Sequence, residues 1–225
     1  MRQKILHLEK NRYSNESLNK LKIKFDLTYL ETNSQDELIN FLRGDNYFAI
    51  FTKLGLEFNQ EAIDSQPSLK YLITPTTGLN HIDLNHANAK GVSVISLKGE
   101  DEFLKSIKST AEHTWAILLM LIRNLDRAFK DVKDGFWRRE SFLASELDGK
   151  TIGIIGYGRL GKIIAKYADA FGMKVIANDT NTKVFLNEAI NNSKIDYLLS
   201  ESDILTLHIP SNKENYNFID SEKLN

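Results

Sequence analysis

Residues 151–180 read TIGIIGYGRLGKIIAKYADAFGMKVIANDT. The stretch opens on an apolar, β-branched run, Thr151-Ile152-Gly153-Ile154-Ile155, which predicts a buried strand. A glycine-rich turn follows, Gly156-Tyr157-Gly158-Arg159-Leu160-Gly161. Beyond it, Leu160, Ile163, Ile164, Tyr167, Ala168 and Phe171 recur at i, i+3, i+4, i+7, i+8 and i+11, one stripe of a 3.6-residue helix. Gly172 stands where a helix C-terminal cap is wanted, and a second short strand, Val175-Ile176-Ala177, ends at Asp179. A strand, a G-x-G-x-x-G turn, a helix, a strand and a terminal acid together predict a dinucleotide site. In that pattern Gly156 makes the tight turn, Gly158 lets the backbone approach a pyrophosphate, and Gly161 lets helix and strand pack closely. The free N–H groups and positive dipole end of the helix face the pyrophosphate. Arg159 contributes through its backbone N–H, with a merely solvated side chain as the even alternative to a functional one, and Leu160 belongs to the same first turn. Asp179 lies 18 residues beyond Gly161, near the usual spacing of about 20 for the acid that accepts hydrogen bonds from the adenosine ribose. Only Asn181, Thr182 and Lys183 follow it, with no Arg, which favours NAD over NADP.

The 225 residues suffice for two modest domains with substantial cores. Lys plus Arg number 29 and Asp plus Glu 30, so a broad polyanion-binding surface is not expected and no nucleic-acid partner is implied. The absence of cysteine excludes disulfides, thiolate metal sites and cysteine nucleophiles, and no metal site is expected. Residues 1–10 lack a signal-peptide apolar core, and the longest apolar run, Trp115 to Ile122, is too short to span a bilayer. No membrane partner is expected, and a cytoplasmic location is the default.

Residues 1–98 alternate between strand and helix patterns. Strands are predicted at Lys4 to Glu9, Phe25 to Glu31, Tyr47 to Thr52, Tyr71 to Thr74 and Val92 to Leu97. Helices are predicted at Ser17 to Lys24, from the capping-box pattern Ser34-Gln35-Asp36-Glu37 through Leu42, after Asn59, and over Asn80 to Lys90 with Gly91 closing. Regular alternation implies a mostly parallel, helix-covered sheet, here a flavodoxin-like domain. Gly99 to Ser109 reads as an irregular connector, joining two α/β domains with a cleft between them. A long helix is expected from about Thr110 to Asp131, with Trp115, Leu118, Leu119, Ile122 and Leu125 on its core face. Ser202 to Pro210 reads as a further buried strand, ending at the same sheet edge as the glycine loop.

Several stretches, in order, resemble the D-isomer-specific 2-hydroxyacid dehydrogenase family, which includes phosphoglycerate dehydrogenase. They are Gly78-Leu79-Asn80-His81-Ile82-Asp83, Thr110-Ala111-Glu112-His113, Gly135-Phe136-Trp137, Leu147-Asp148-Gly149-Lys150, the glycine loop with Asp179, and Ser202-Asp203 through His208-Ile209-Pro210. The resemblance covers nearly the whole chain. It implies a flavodoxin-like substrate domain over residues 1–98 and a Rossmann NAD-binding domain over residues 99–225, incomplete at its C-terminus. It implies hydride transfer between a 2-hydroxy acid and NAD, and a homodimer in the full-length parent. Thr76, Thr77, Gly78 and Leu79 would present amides to the substrate carboxylate, unless they form only a glycine-containing turn. His208, Ile209 and Pro210 would line the cofactor, the bland alternative being a turn proline beside a capped histidine. Lys53 follows the third strand within possible reach of substrate.

The family's catalytic Arg, Glu and His follow the H-x-P strand and are expected beyond Asn225. None of His7, His81, His86, His113 and His208 matches that catalytic position; Glu112-His113 is read as architecture. The chain is therefore expected to be a fragment that binds cofactor without turnover. The family also includes corepressors that use NAD-driven closure, so an NAD-binding regulatory module without catalysis is the alternative. A hydrolase resembling adenosylhomocysteine hydrolase shares the glycine unit, but the first domain and the His208-Ile209-Pro210 strand argue against it.

Overall fold

Runs such as Ile5-Leu6 and Ala49-Ile50-Phe51 can be buried throughout only where both faces of a sheet are covered. The computed structural model, which describes residues 2–186 and 188–223, meets that condition. Its chain divides into two compact units, Met1–Asp101 and Glu102–Asn225.

The first unit alternates strictly: β1 (Lys4–His7), α1 (Asn15–Lys24), β2 (Asp26–Tyr29), α2 (Gln35–Gly44), β3 (Ala49–Phe51), α3 (Gln60–Asp64), β4 (Tyr71–Ile73), α4 (Leu84–Ala89) and β5 (Ser93–Ile95). The sheet is parallel in the order β2-β1-β3-β4-β5, with Ile5 opposite Ala49, Ile50 opposite Leu72 and Leu72 opposite Val94. That is the flavodoxin-like order, and the strand sequence reverses direction between β1 and β3. On one face Leu6, Ile50 and Leu72 meet Leu38, Leu42, Ile63 and Ala87. On the other, Ile5, Ala49 and Phe51 meet Leu21 and Phe25.

Local chemistry sets the helix ends. Ser14, Ser34, Asn59 and Asp83 each accept an N–H bond as N-cap. The capping box at Ser34 is only half made. Ser34 Oγ accepts from Glu37 N–H at 3.3 Å, but Glu37 Oε2 accepts from Thr32 Oγ1 at 2.6 Å and Ser34 N–H donates to the same hydroxyl at 2.9 Å. Capping also corrects two helix starts. Ser14 begins α1 at Asn15, ahead of Ser17, and Asp83 delays α4 to Leu84, past Asn80.

In the rest of the chain α5 (Asp101–Lys105) occupies what reads as an irregular connector. It is followed by α6 (Ser109–Ile122), α7 (Leu125–Lys133), β6 (Thr151–Ile155), α8 (Arg159–Ala170), β7 (Lys174–Asn178), α9 (Ile195–Glu201) and β8 (Ile204–Leu207). The expected single helix over 110–131 is two, because Asn124 is left-handed at φ 51° between α6 and α7. The second sheet is parallel, in the order β7-β6-β8, and separate from the first. Central β6 buries Ile152, Ile154 and Ile155. Gly153 is required there: a Cβ would collide with Ser202 Oγ, with Leu198 Cδ2 at 2.6 Å and with Leu205 Cδ2 at 2.9 Å. β8 is half-exposed rather than buried, since among the described residues it pairs on one side only. Among the described residues no helix is long and apolar enough to cross a membrane.

Candidate functional site

β6 and β7 are in register, with Ile155 opposite Asn178, so the chain leaves both strands at the same level. Gly156 N–H donates to Asn178 O at 2.8 Å, which sets the glycine loop beside Asp179. Gly156 has φ +94°, a conformation side chains rarely adopt, and a Cβ there would lie 2.8 Å from the His208 carbonyl. The β8 strand end approaches equally closely in hydrogen bonding: His208 N–H donates to Ile155 O at 2.7 Å. Gly161 faces inward, where a Cβ would run into Gly156 O and sit 3.2 Å from Ile154 Cγ2. Gly158 differs. It is the N-cap of α8, and a Cβ there would meet no described atom within 4 Å, so open space lies in front of the helix.

Having no side chain, Gly158 caps nothing. The first intrahelical bond runs from Lys162 N–H to Gly158 O at 3.0 Å. The N–H groups of Arg159, Leu160 and Gly161 therefore have no acceptor among the described residues and are free to take an anion. A pyrophosphate fits this cradle, because the missing Cβ of Gly158 leaves the approach clear.

Asp179 is half-buried at the end of β7. Its Oδ2 accepts from Tyr157 N–H at 2.8 Å and its Oδ1 from Asn181 N–H at 2.8 Å. Each carboxylate oxygen keeps a lone pair for a further donor. The acid thus also holds the glycine loop in shape, a role its sequence spacing does not disclose. Asn192 supports it from outside the motif: its Oδ1 accepts from Asp179 N–H and its Nδ2 donates to Asp179 O, both at 3.0 Å. Phe185 stacks on Tyr157 at 4.8 Å. Neither Asn192 nor Phe185 carries a sequence signal, because both come from the irregular segment after β7.

The Arg159 side chain is not merely solvated. Its Nη1 donates to Leu104 O at 3.2 Å and Ile107 O at 2.8 Å, tying α8 to the end of α5. Its backbone remains in the first turn of α8. His208 lies beside the glycine loop, but its Nε2 bonds Thr206 Oγ1 at 3.0 Å, and burial lowers its pKa. Ile209 also reaches the loop, with Cγ2 3.1 Å from a Gly156 Cβ, while Pro210 is exposed and its carbonyl accepts from Asn215 Nδ2 at 2.9 Å.

Thr76, Thr77, Gly78 and Leu79 follow β4 in the first unit. Thr76 Oγ1 donates to Gly78 O at 2.7 Å, and the N–H groups of Thr77, Gly78 and Leu79 have no acceptor among the described residues. The Lys53 ammonium is occupied, donating to Thr32 O at 2.7 Å and Asn33 Oδ1 at 2.5 Å. His7 and His81 are buried, and His86 bonds Asp64 at 2.9 Å. His113 is exposed on α6.

Residues 115–225 match the family model of the D-isomer specific 2-hydroxyacid dehydrogenase NAD-binding domain. The chain is 35% identical over 188 residues to D-3-phosphoglycerate dehydrogenase of Archaeoglobus fulgidus, covering 83% of this chain and 34% of that one. It is 32% identical over 185 residues to glyoxylate reductase of Thermococcus litoralis, covering 78% and 54% respectively. It superposes with a TM-score of 0.76 and 29% identity on D-lactate dehydrogenase of Aquifex aeolicus, solved with NAD and lactic acid, covering 97% of this chain and 64% of that one. The chain thus spans about a third to a half of the length of these two curated relatives. With its parallel-sheet architecture, its glycine cradle and these relatives, the chain belongs to the D-isomer-specific 2-hydroxyacid dehydrogenase family, and its second half is that family's NAD-binding domain.

Proposed function

We propose that the chain is part of an oxidoreductase in which bound NAD exchanges hydride with C2 of a small 2-hydroxy or 2-keto acid. The observation that carries this reading is the open Cβ position of Gly158, set before three unpaired helix N–H groups and level with Asp179. In this reading the N–H groups of Arg159, Leu160 and Gly161 hold the pyrophosphate, while Gly156 shapes the turn and Gly158 clears the approach. Asp179 accepts from the ribose hydroxyls, and His208, Ile209 and Pro210 border the same edge. The Thr76–Leu79 turn offers its N–H groups to the substrate carboxylate. The names of the relatives support the substrate class, since phosphoglycerate, glyoxylate and lactate are or derive from small 2-hydroxy and 2-keto acids.

Calorimetric titration with NAD and NADP tests the site. Asp179→Ala is expected to weaken NAD binding by about 1–3 kcal/mol, as for a lost charged hydrogen bond, and to narrow the preference over NADP. A melting curve run in parallel separates loss of the Tyr157 anchor from loss of the ribose acceptor. Unchanged affinity and selectivity would leave Asp179 a turn residue. The chain alone is expected to oxidise NADH with hydroxypyruvate only at background, because His7 and His81 are buried, His86 and His208 are hydrogen-bonded, and none of its five histidines matches the family's catalytic position.

A homodimer is part of the same proposal. It is supported by exposed apolar side chains along α6, α7 and the following loop: Leu121, Phe129, Val132 and Trp137. Light scattering should report a dimer that Leu121→Asp with Phe129→Asp converts to monomer; a monomeric parent chain would reject it. A cytoplasmic location without membrane or nucleic-acid partners completes the proposal, in keeping with a net charge of −1.

A further inference from the structure

His81 is 4% exposed, and its Nε2 lies 3.3 Å from Thr52 Oγ1 and 3.4 Å from Thr74 Oγ1. Thr74 Oγ1 is 2.9 Å from Thr76 Oγ1, and Thr76 Oγ1 donates to Gly78 O at 2.7 Å. These bonds can run in only one direction. The Thr76 hydroxyl proton is used on the Gly78 carbonyl, so the Thr76 oxygen accepts from Thr74. The Thr74 proton is then used as well, so Thr74 accepts from His81. With the Thr74 contact made as a hydrogen bond, the imidazole carries its proton on Nε2, and the Thr52 hydroxyl accepts from the same N–H. Its Nδ1 is buried without a partner among the described residues, which suits a bare lone pair better than an N–H. Burial lowers the His81 pKa, in keeping with a neutral ring.

We propose that His81 is a positioning residue for the substrate turn, acting through a one-way relay His81 Nε2–H, Thr74 hydroxyl, Thr76 hydroxyl, Gly78 carbonyl. The reason is peptide geometry. In a trans peptide the C=O and the next N–H point in opposite directions. Drawing the Gly78 carbonyl toward Thr76 turns the Leu79 N–H away from that hydroxyl, leaving it unpaired for a carboxylate oxygen. A turn held this way is organised before substrate arrives, and so loses less entropy on binding. The inference rests on the reading of Thr76–Leu79 as the substrate turn, and adds what orients it.

The test is NMR of the isotopically labelled 225-residue chain, with oxamate as the probe for a 2-keto acid carboxylate. In the wild type the His81 nitrogen signals should show Nε2 protonated and Nδ1 bare, a reading that needs no variant. Oxamate should shift the Leu79 amide. Thr76→Val should move the Gly78 carbonyl resonance upfield and weaken oxamate binding about 3- to 10-fold, the effect of one lost hydrogen bond. Thr76→Ser should restore both, which a purely steric role for the threonine would not predict. Protonation on Nδ1 overturns the relay. So does a Thr76→Val variant with unchanged carbonyl shift and affinity while oxamate still moves Leu79; the substrate turn then stands without it. If oxamate leaves Leu79 unmoved in the wild type, the turn's own role fails, and the positioning function falls with it even where the tautomer is as expected.

Discussion

At the scale of single residues, Gly156 and Gly158 look equivalent in the motif and are not equivalent in space. Gly156 has φ +94° and the His208 carbonyl against its missing Cβ, whereas Gly158 faces open space. Gly156→Ala is expected to lower stability by about 1–3 kcal/mol, the range for a side chain forced into a sparsely populated conformation. Gly158→Ala should leave the urea midpoint unchanged and reduce NAD affinity at least about tenfold, since its methyl would stand where backbone meets pyrophosphate. Urea unfolding and calorimetry on both variants decide the matter; the reverse assignment of effects would reject this division of labour. Asp179 shows the same gap between pattern and contact. Its spacing marks it as the ribose acid, but only the tertiary structure reveals the Tyr157 N–H it already holds.

At the scale of elements, the apolar stripe of Trp115, Leu118, Leu119 and Ile122 packs into the second core, while Leu125, beyond a helix break, is only partly buried. Periodicity reports which side chains face a core, not whether each backbone bond between them is helical. Asn124 makes the break, left-handed at φ 51°, with Ala128 N–H donating to its carbonyl at 3.0 Å and its own Nδ2 donating to Leu143 O at 3.0 Å. Asparagine tolerates that conformation and a β-branched residue does not. Asn124→Val should therefore destabilise by about 1–3 kcal/mol, from backbone strain together with the lost hydrogen bond, and Asn124→Gly by less. Thermal unfolding checks this; equal melting temperatures for wild type and Asn124→Val would argue for a continuous helix. The strand β8 makes a complementary point. Its apolar run reads as buried, and its half-exposure follows from pairing on one side, a property of the sheet rather than of the segment.

At the scale of the whole molecule, buried histidines make stability depend on pH. His7 is fully buried, stacked on Phe51 at 4.7 Å, and desolvation lowers its pKa to about 4. An unfolded histidine titrates near 6.5. Between those values the unfolded chain binds a proton that the folded chain refuses, so stability falls as pH drops from about 6.5 through about 4. The loss from His7 should be on the order of 2–3 kcal/mol, and His81 and His208, also lowered by burial, act in the same direction. Urea unfolding at pH 7 and pH 4.5 should show the drop, and His7→Phe should flatten it; an unaltered pH slope in that variant would assign the effect elsewhere. The sequence by itself determined the α/β alternation, the parallel five-strand unit, the strand–glycine-turn–helix site and its terminal acid. Each of these is written in residues a few positions apart, through side-chain period, capping and glycine spacing. Only the tertiary structure decided that Arg159 binds the Leu104 and Ile107 carbonyls, that Asp179 holds Tyr157, and that His81 meets Thr52. Those contacts join residues 22 to 55 positions apart, and they depend on strand register and on how closely helices approach the sheet, which no local period encodes.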